Sequence, residues 1–219
     1  MSIAEKILRA KADYDAVYEA GKASGGGADY TSFLDGTITG EYVNENLTTL
    51  REGAFAQCEN ITSVSLPNCT TFSGGNAFYF CTNLKSVDLR NLETIASGSS
   101  VFNNALRLQK AEFPKLTSIT TTSRMFQKCS SVTEVRMPML SNTTIEAYMF
   151  TNCSKLETIV FGGAVLNPLA NTNAFTNTGN ALANGFSVYV PDNLVDSYKA
   201  ATNWSSLANK IKPMSELGE

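Results

Sequence analysis

The stretch Ala77-Phe78-Tyr79-Phe80-Cys81-Thr82-Asn83-Leu84-Lys85-Ser86-Val87-Asp88-Leu89 decides the fold, because the chain repeats its pattern along most of its length. A Phe preceded by a small or apolar residue recurs at Phe55, Phe78, Phe102, Phe126, Phe150 and Phe175, in steps of 23, 24, 24, 24 and 25 residues. Three residues after each Phe stands Cys58, Cys81, Ala105, Cys129, Cys153 or Thr178. Three further on come Ile61, Leu84, Leu108, Val132 and Leu156. An alternating apolar pair follows: Val64 and Leu66, Val87 and Leu89, Ala111 and Phe113, Val135 and Met137, Ile159 and Phe161. In the sixth unit an insertion delays the pair to Val188 and Val190, and Pro67, Pro114, Pro138 and Pro191 close four of the units.

Alternation such as Val64-Ser65-Leu66 marks a short strand with one buried face. A following Pro ends the strand by withholding a ladder donor. A period near 24 residues suits one strand plus a return segment. Neither can bury its apolar side alone, so units stack and share one core. The expected fold is a solenoid of about six repeats of 23–25 residues over positions 51–190. Its short parallel strands form one sheet, and its return segments are irregular or short-helical.

The columns quoted above resemble the BspA-like leucine-rich repeats, over roughly residues 38 to 190. Such repeats occur on surface and secreted proteins of gut and oral bacteria and of their phages. The resemblance implies adhesion or recognition without naming a ligand. The tail from Val188 through Asn203-Trp204 resembles the helical cap that ends such arrays, which assigns positions 191–219 to a C-terminal helical cap and tail. There Leu194, Tyr198, Trp204, Leu207 and Ile211 cover the last rung from two short helices. Ile3-Ala4-Glu5-Lys6 and Val17-Tyr18-Glu19-Ala20-Gly21-Lys22 resemble leaders of phage structural proteins.

Ahead of the array, Ile3, Ile7, Ala10, Tyr14 and Val17 are spaced 4, 3, 4 and 3, the spacing of a coiled-coil seam. Positions 1–24 therefore read as an amphipathic helix, either packed on its own domain or serving oligomerisation or attachment. A helix this short is marginal in water and needs a partner surface. Positions 25–29 are a Gly-rich link and 30–50 an N-terminal cap, with Tyr30, Phe33, Leu34 and Ile38 over the first rung.

Composition narrows the function. The 219 residues contain no His, which removes Ser-His-Asp and Cys-His nucleophiles and imidazole metal sites. Charged residues are 17%, replaced by 21 Ser, 23 Thr and 20 Asn, and 43% hydrophobic residues suffice for a core. A net charge of −3 gives no electrostatic footprint for nucleic acid, and no apolar run is long enough to span a membrane. The four column cysteines read as small, reduced, buried side chains, since Ala105 and Thr178 fill the same column without a bridge. Without a CxxC pair there is no zinc pattern. The Gly clusters lack the GxxxxGK[ST] arrangement and read as turns. No catalytic residue, metal or cofactor is expected.

If Val64 and Leu66 point inward, the residues between and beside them point out. The column between the pair reads Ser65, Asp88, Glu112, Arg136, Val160 and Tyr189; the preceding one reads Ser63, Ser86, Lys110, Glu134, Thr158 and Ser187. Asp88, Arg90, Lys110, Glu112, Glu134, Arg136 and Tyr189 thus form a stripe on the strand face. It reads either as a recognition surface or as an ion-pair lattice that keeps the sheet soluble. Glu112 and Glu134 imitate a glycosidase pair, but an open face offers no pocket to raise one pKa. The expected function is a non-enzymatic recognition or adhesion module bound to a protein or glycan on a cell surface. It is displayed on a phage virion through its first helix and made in the bacterial cytoplasm without a signal peptide. The alternatives are a secreted or cell-surface adhesin of the same family, or a purely architectural virion subunit.

Overall fold

The computed structural model describes residues 40–178 and 185–218. The first strand, β1 (Gly40–Val43), leads a row of parallel strands: β3 (Ile61–Ser65), β5 (Ser86–Asp88), β7 (Lys110–Glu112), β9 (Glu134–Met137), β10 (Thr158–Phe161) and β11 (Ser187–Val190). Register follows the sequence columns: Tyr42 faces Val64, Val64 faces Val87, Ala111 faces Val135, Val135 faces Ile159, and Ile159 faces Val188. The sixth-unit insertion is therefore accommodated without a register slip. These inward residues are buried except Val87, which is only half covered.

The strands form one row but not one ladder. The structure divides them into β1-β3-β5 and a second ladder running from β7 through β9, β10 and β11 to β12 (Ile211–Pro213). The break coincides with Ala111, the smallest inward residue of its column, beside the part-exposed Val87. One hydrogen bond, from Gln109 N to Lys85 O (3.1 Å), still ties the two rungs just below the gap.

A second sheet was not foreseen. Two-residue strands β2 (Thr49–Leu50), β4 (Thr71–Phe72), β6 (Thr94–Ile95) and β8 (Ser118–Ile119) pair in parallel along the return segments. A single bridge between Ile145 and Leu169 continues the line. Each strand presents one Ser or Thr outward and one apolar residue inward. That is the same period-2 logic as the main strands, in a segment too short for periodicity to betray it.

The repeat Phe occupies the third side of each rung. Phe55, Phe78, Phe102, Phe126, Phe150 and Phe175 stack face to face, with centroids 5.2, 5.2, 5.3, 5.6 and 5.5 Å apart and ring planes within 16° of parallel. A left-handed residue stands on each side of the turn. Gly53, Asn76, Ser100, Arg124 and Tyr148 lie two residues before a Phe, and Gln57, Phe80, Asn104, Lys128, Asn152 and Asn177 two after, all with φ between 51° and 67°. Alternating the hand of the backbone points the amides of the Phe and of the second residue after it along the array. Phe78 N thus donates to Val101 O (2.8 Å) and Phe80 N to Asn103 O (2.9 Å), and other rungs do likewise. Turn amides are thereby satisfied without a helix.

The small column does more than save space. Cys81, Cys129 and Cys153 each donate Sγ–H to the carbonyl of the preceding repeat Phe, at 2.9, 3.1 and 3.0 Å, and Thr178 Oγ1 donates to Phe150 O at 2.7 Å. Cys and Thr share the column because both are small donors. None of the five cysteines is in a disulfide. Burial pushes Cys81, Cys129 and Cys153 upward in pKa, away from the reactive thiolate. Backbones pack closely elsewhere too: a Cβ on Gly162 would stand 2.3 Å from Pro138 O, so only glycine fits there.

The C-terminal cap is built from two short helical segments, as expected, but Ile211 lies in a strand rather than in a helix. A helix, α1 (Val195–Ala200), and a 3-10 segment (Trp204–Lys210) are followed by β12, which places Ile211 against Val188 as a further rung. Ile211-Lys212 repeats the apolar–polar start of the other strand pairs, and Pro213 stands opposite Val190 in the place of their second apolar residue. Trp204 is fully buried against Phe161, Phe175 and Tyr198. Its indole N–H donates to Asn167 O (2.8 Å), while Asn167 N donates to Tyr198 Oη (2.9 Å). The amphipathic helix of positions 1–24, with Ile3, Ile7, Ala10, Tyr14 and Val17, the link at 25–29 and the cap residues Tyr30, Phe33, Leu34 and Ile38 lie outside the described residues.

Candidate recognition face

Parallel register brings the charged residues of the strand row together. Lys110 pairs with Glu134, one rung on and directly opposite, at 2.8 Å. Arg136, two residues along the same strand, pairs with the same carboxylate. Glu134 is thus held between two cations with only 12% of its side chain exposed. Burial pulls its carboxyl upward, but Lys110 and Arg136 outweigh that and leave it below the ordinary Glu value. Such a group is a poor general acid, which argues against pairing it with Glu112 for glycoside chemistry.

A second pair lies two rungs earlier. Arg90 Nε donates to Asp88 Oδ1 at 2.9 Å, and this guanidinium, helped by Ser65 Oγ on the other oxygen, holds the Asp88 carboxyl below its usual range. Five of the seven stripe residues are therefore engaged with one another. Glu112 is exposed and sits in register opposite Arg136. Tyr189, at the far end, carries Lys212 Nζ over its ring at 5.8 Å. Val160, expected to face outward, is only 2% exposed; register places it between Arg136 and Tyr189, whose long side chains flank it.

Lys110 of the stripe is joined by residues that the strand-face columns did not single out, at the start of the same strands. Lys85, Arg107, Gln109, Lys110, Ser131, Thr133 and Lys155 line an open groove of about 470 Å³. They come from positions five, seven and eight after the repeat Phe on four successive rungs. Aligning those positions by rung would have found it; tracking only the residues beside the apolar pair did not. Among the described residues, no group of three or more His, Cys, Asp or Glu is placed to hold a metal ion. No helix among them is long and apolar enough to cross a membrane.

Six copies of the BspA type leucine rich repeat region match positions 48–183 of the chain. Among solved structures, a leucine-rich repeat protein of T. pallidum is 16% identical, with 78% of this chain and 85% of that chain covered and a TM-score of 0.44. One from Bacteroides ovatus is 17% identical over 78% of this chain and 58% of that chain, with a TM-score of 0.31. A leucine rich cell surface protein of Faecalibacterium prausnitzii is 19% identical over 68% and 60%, with a TM-score of 0.30. A search of the curated proteins returned no match. With matched copies over more than half its length, and a Phe column, small-donor column and strand pair stacked in register rung upon rung, the chain belongs to the BspA-type leucine-rich repeat family.

Proposed function

We propose that the protein is a non-enzymatic adhesion module that recognises a protein or glycan on a cell surface through its strand face. The observation that carries this reading is the contrast within one register position. Ser65, Asp88, Glu112, Arg136, Val160 and Tyr189 occupy the same column on six rungs, with Ser65 in register with Asp88, Glu112 with Arg136, and Val160 with Arg136 and Tyr189. A face that only had to stay soluble would be served by Ser and Thr, as at Ser63 and Ser65. The repeat family supports binding as the role, and extended repeat arrays offer continuous surfaces suited to it.

We further propose that positions 1–24 attach the module to a larger assembly such as a phage virion, on the strength of the seam Ile3, Ile7, Ala10, Tyr14 and Val17 and of the leader resemblance. Display on a bacterial surface by another anchor is the competing reading.

Two forms and one double variant test both parts: the full chain, residues 25–219, and Arg136→Ser/Tyr189→Ser in the full chain. Binding to intact gut and oral bacterial cells is read by flow cytometry, and absolute mass by light scattering. Recognition through the face predicts that the double variant loses cell binding while 25–219 keeps intrinsic binding. Attachment through the first segment predicts an oligomer that falls to monomer on truncation. Full binding by the double variant would sink the face; equal monomeric mass in both forms would sink self-association through the seam.

A further inference from the structure

We infer that the groove at the start of strands β5 to β10 binds an anionic polysaccharide lying along the array. This rests on the recognition reading but uses a different part of the surface, sharing only Lys110 with the stripe. Lys85, Arg107, Lys110 and Lys155 line the groove and are all exposed, while no carboxylate lines it. In a chain of net charge −3, four cations in one concavity are a concentration against the average. Lys110 is partly neutralised by Glu134 at 2.8 Å. Lys85, Arg107 and Lys155 make no ion pair among the described residues.

Geometry argues for a linear polyanion. The three unpaired cations come from the second, third and fifth Phe repeats, so they span three rung steps, about 14 Å at roughly 4.8 Å per step. Charge along one line suits a ligand that carries repeated charge along its own length. The remaining lining, Gln109, Ser131 and Thr133, offers neutral donors and acceptors of the kind that pair with sugar hydroxyls. A peptide site would be expected to contain an apolar or aromatic anchor pocket, and a single-stranded nucleic acid a stacking ring. The lining has neither.

The test uses the full chain and isothermal titration calorimetry with four polymers: dextran sulfate, polygalacturonate, neutral dextran and poly-glutamate. Lys85→Gln/Arg107→Gln/Lys155→Gln is compared with Lys115→Gln/Lys128→Gln/Lys199→Gln, which removes equal charge from exposed positions elsewhere. All six positions are on the surface, and circular dichroism checks that both variants fold. The inference predicts binding to one or both anionic polysaccharides, none to neutral dextran, and an affinity that falls steeply with salt. The groove variant loses roughly tenfold or more, with a shallower salt slope, and the control stays within about twofold. Binding of dextran sulfate alone assigns the site to sulfate esters, and of polygalacturonate alone to uronates. Equal losses in both variants, no binding by the wild type, or tighter binding of poly-glutamate than of either polysaccharide would overturn it. Any of those results leaves the stripe reading standing on its own cell-binding assay.

Discussion

The two long sides of each rung solve opposite problems with the same repeat. On the turn side the residue types barely change: six Phe rings stack within 16° of parallel, and a small donor follows each except at Ala105. On the strand side the inward positions stay apolar while the outward ones range from Ser65 to Asp88 to Arg136 to Tyr189. The turn side is fixed by packing and by carbonyls that need partners; the strand side is fixed only on its inner half. Whatever this molecule recognises has room to be written on that outer half.

The largest break in the comparison comes from the ring column. Phe102 lies 5.2 Å from Phe78 and 5.3 Å from Phe126, wholly buried. Phe102→Ala is expected to cost about 3–5 kcal/mol, read as a shift in the denaturant midpoint. Because each rung contacts mainly its neighbours, the array should then melt in two parts rather than one. By contrast Glu112→Ala, at an exposed position on the strand side, should stay within about 0.5 kcal/mol of wild type. A comparable loss at both sites would erase the distinction between the sides.

The small-donor column sharpens the same contrast. Thr178→Val keeps the volume and removes the hydroxyl that serves Phe150 O, so a loss of about 1–2 kcal/mol is expected. Ala105 is the one member that cannot donate, and among the described residues Phe78 O accepts only from Cys81 N, at 3.2 Å. Ala105→Cys should therefore stabilise the array, by less than about 1 kcal/mol because S–H is a weak donor. If Ala105→Cys destabilises, the column selects for size alone.

Much of this was legible in the chain. The Phe and apolar-pair columns placed the strands, their parallel order and the core, since stacking repeats leave few other ways to bury them. The second sheet was not legible, because two residues cannot display a period. The third side was partly hidden as well: Gly53, Asn76 and Asn104 announce a left-handed turn, but Phe80, Arg124, Lys128 and Tyr148 adopt it against their own preference. Ile211 was misplaced because a lone I-K-P tripeptide after a helix looks like its tail. On the outer face the stripe residues could be read from the chain, but their mutual pairing depended on register, and the groove on side chains one or three positions upstream of the stripe's first column.

A smaller effect tests the strand side directly. Glu134 is held below its ordinary pKa by Lys110 and Arg136, so its contribution is present at neutral pH and fades as pH falls through its lowered value. Glu134→Gln should cost up to about 1 kcal/mol at pH 7 and close to nothing once the wild-type carboxyl is protonated, well below pH 4.5. Urea titrations of both proteins across that window read the difference. A cost that does not shrink in acid would mean the side chain matters by packing, and the strand side would look more like the turn side.

The smallest expected effect returns to the turns, where the constraint lies in the backbone rather than the side chain. Lys128 is exposed, with φ at 63°, and its amide donates to Thr151 O at 2.8 Å. A non-glycine residue in this region carries a cost of roughly 1–2 kcal/mol, and glycine returns part of that gain through its freer unfolded chain. Lys128→Gly is thus expected to stabilise by about 0.5 kcal/mol, a gain in thermal midpoint that leaves the hydrogen bond in place. The same change at Lys110, in extended backbone, should destabilise. Opposite signs for one substitution on the two sides would establish that the turn is specified by the shape of its backbone, which its neighbours impose, and the strand face by the side chains it is free to carry.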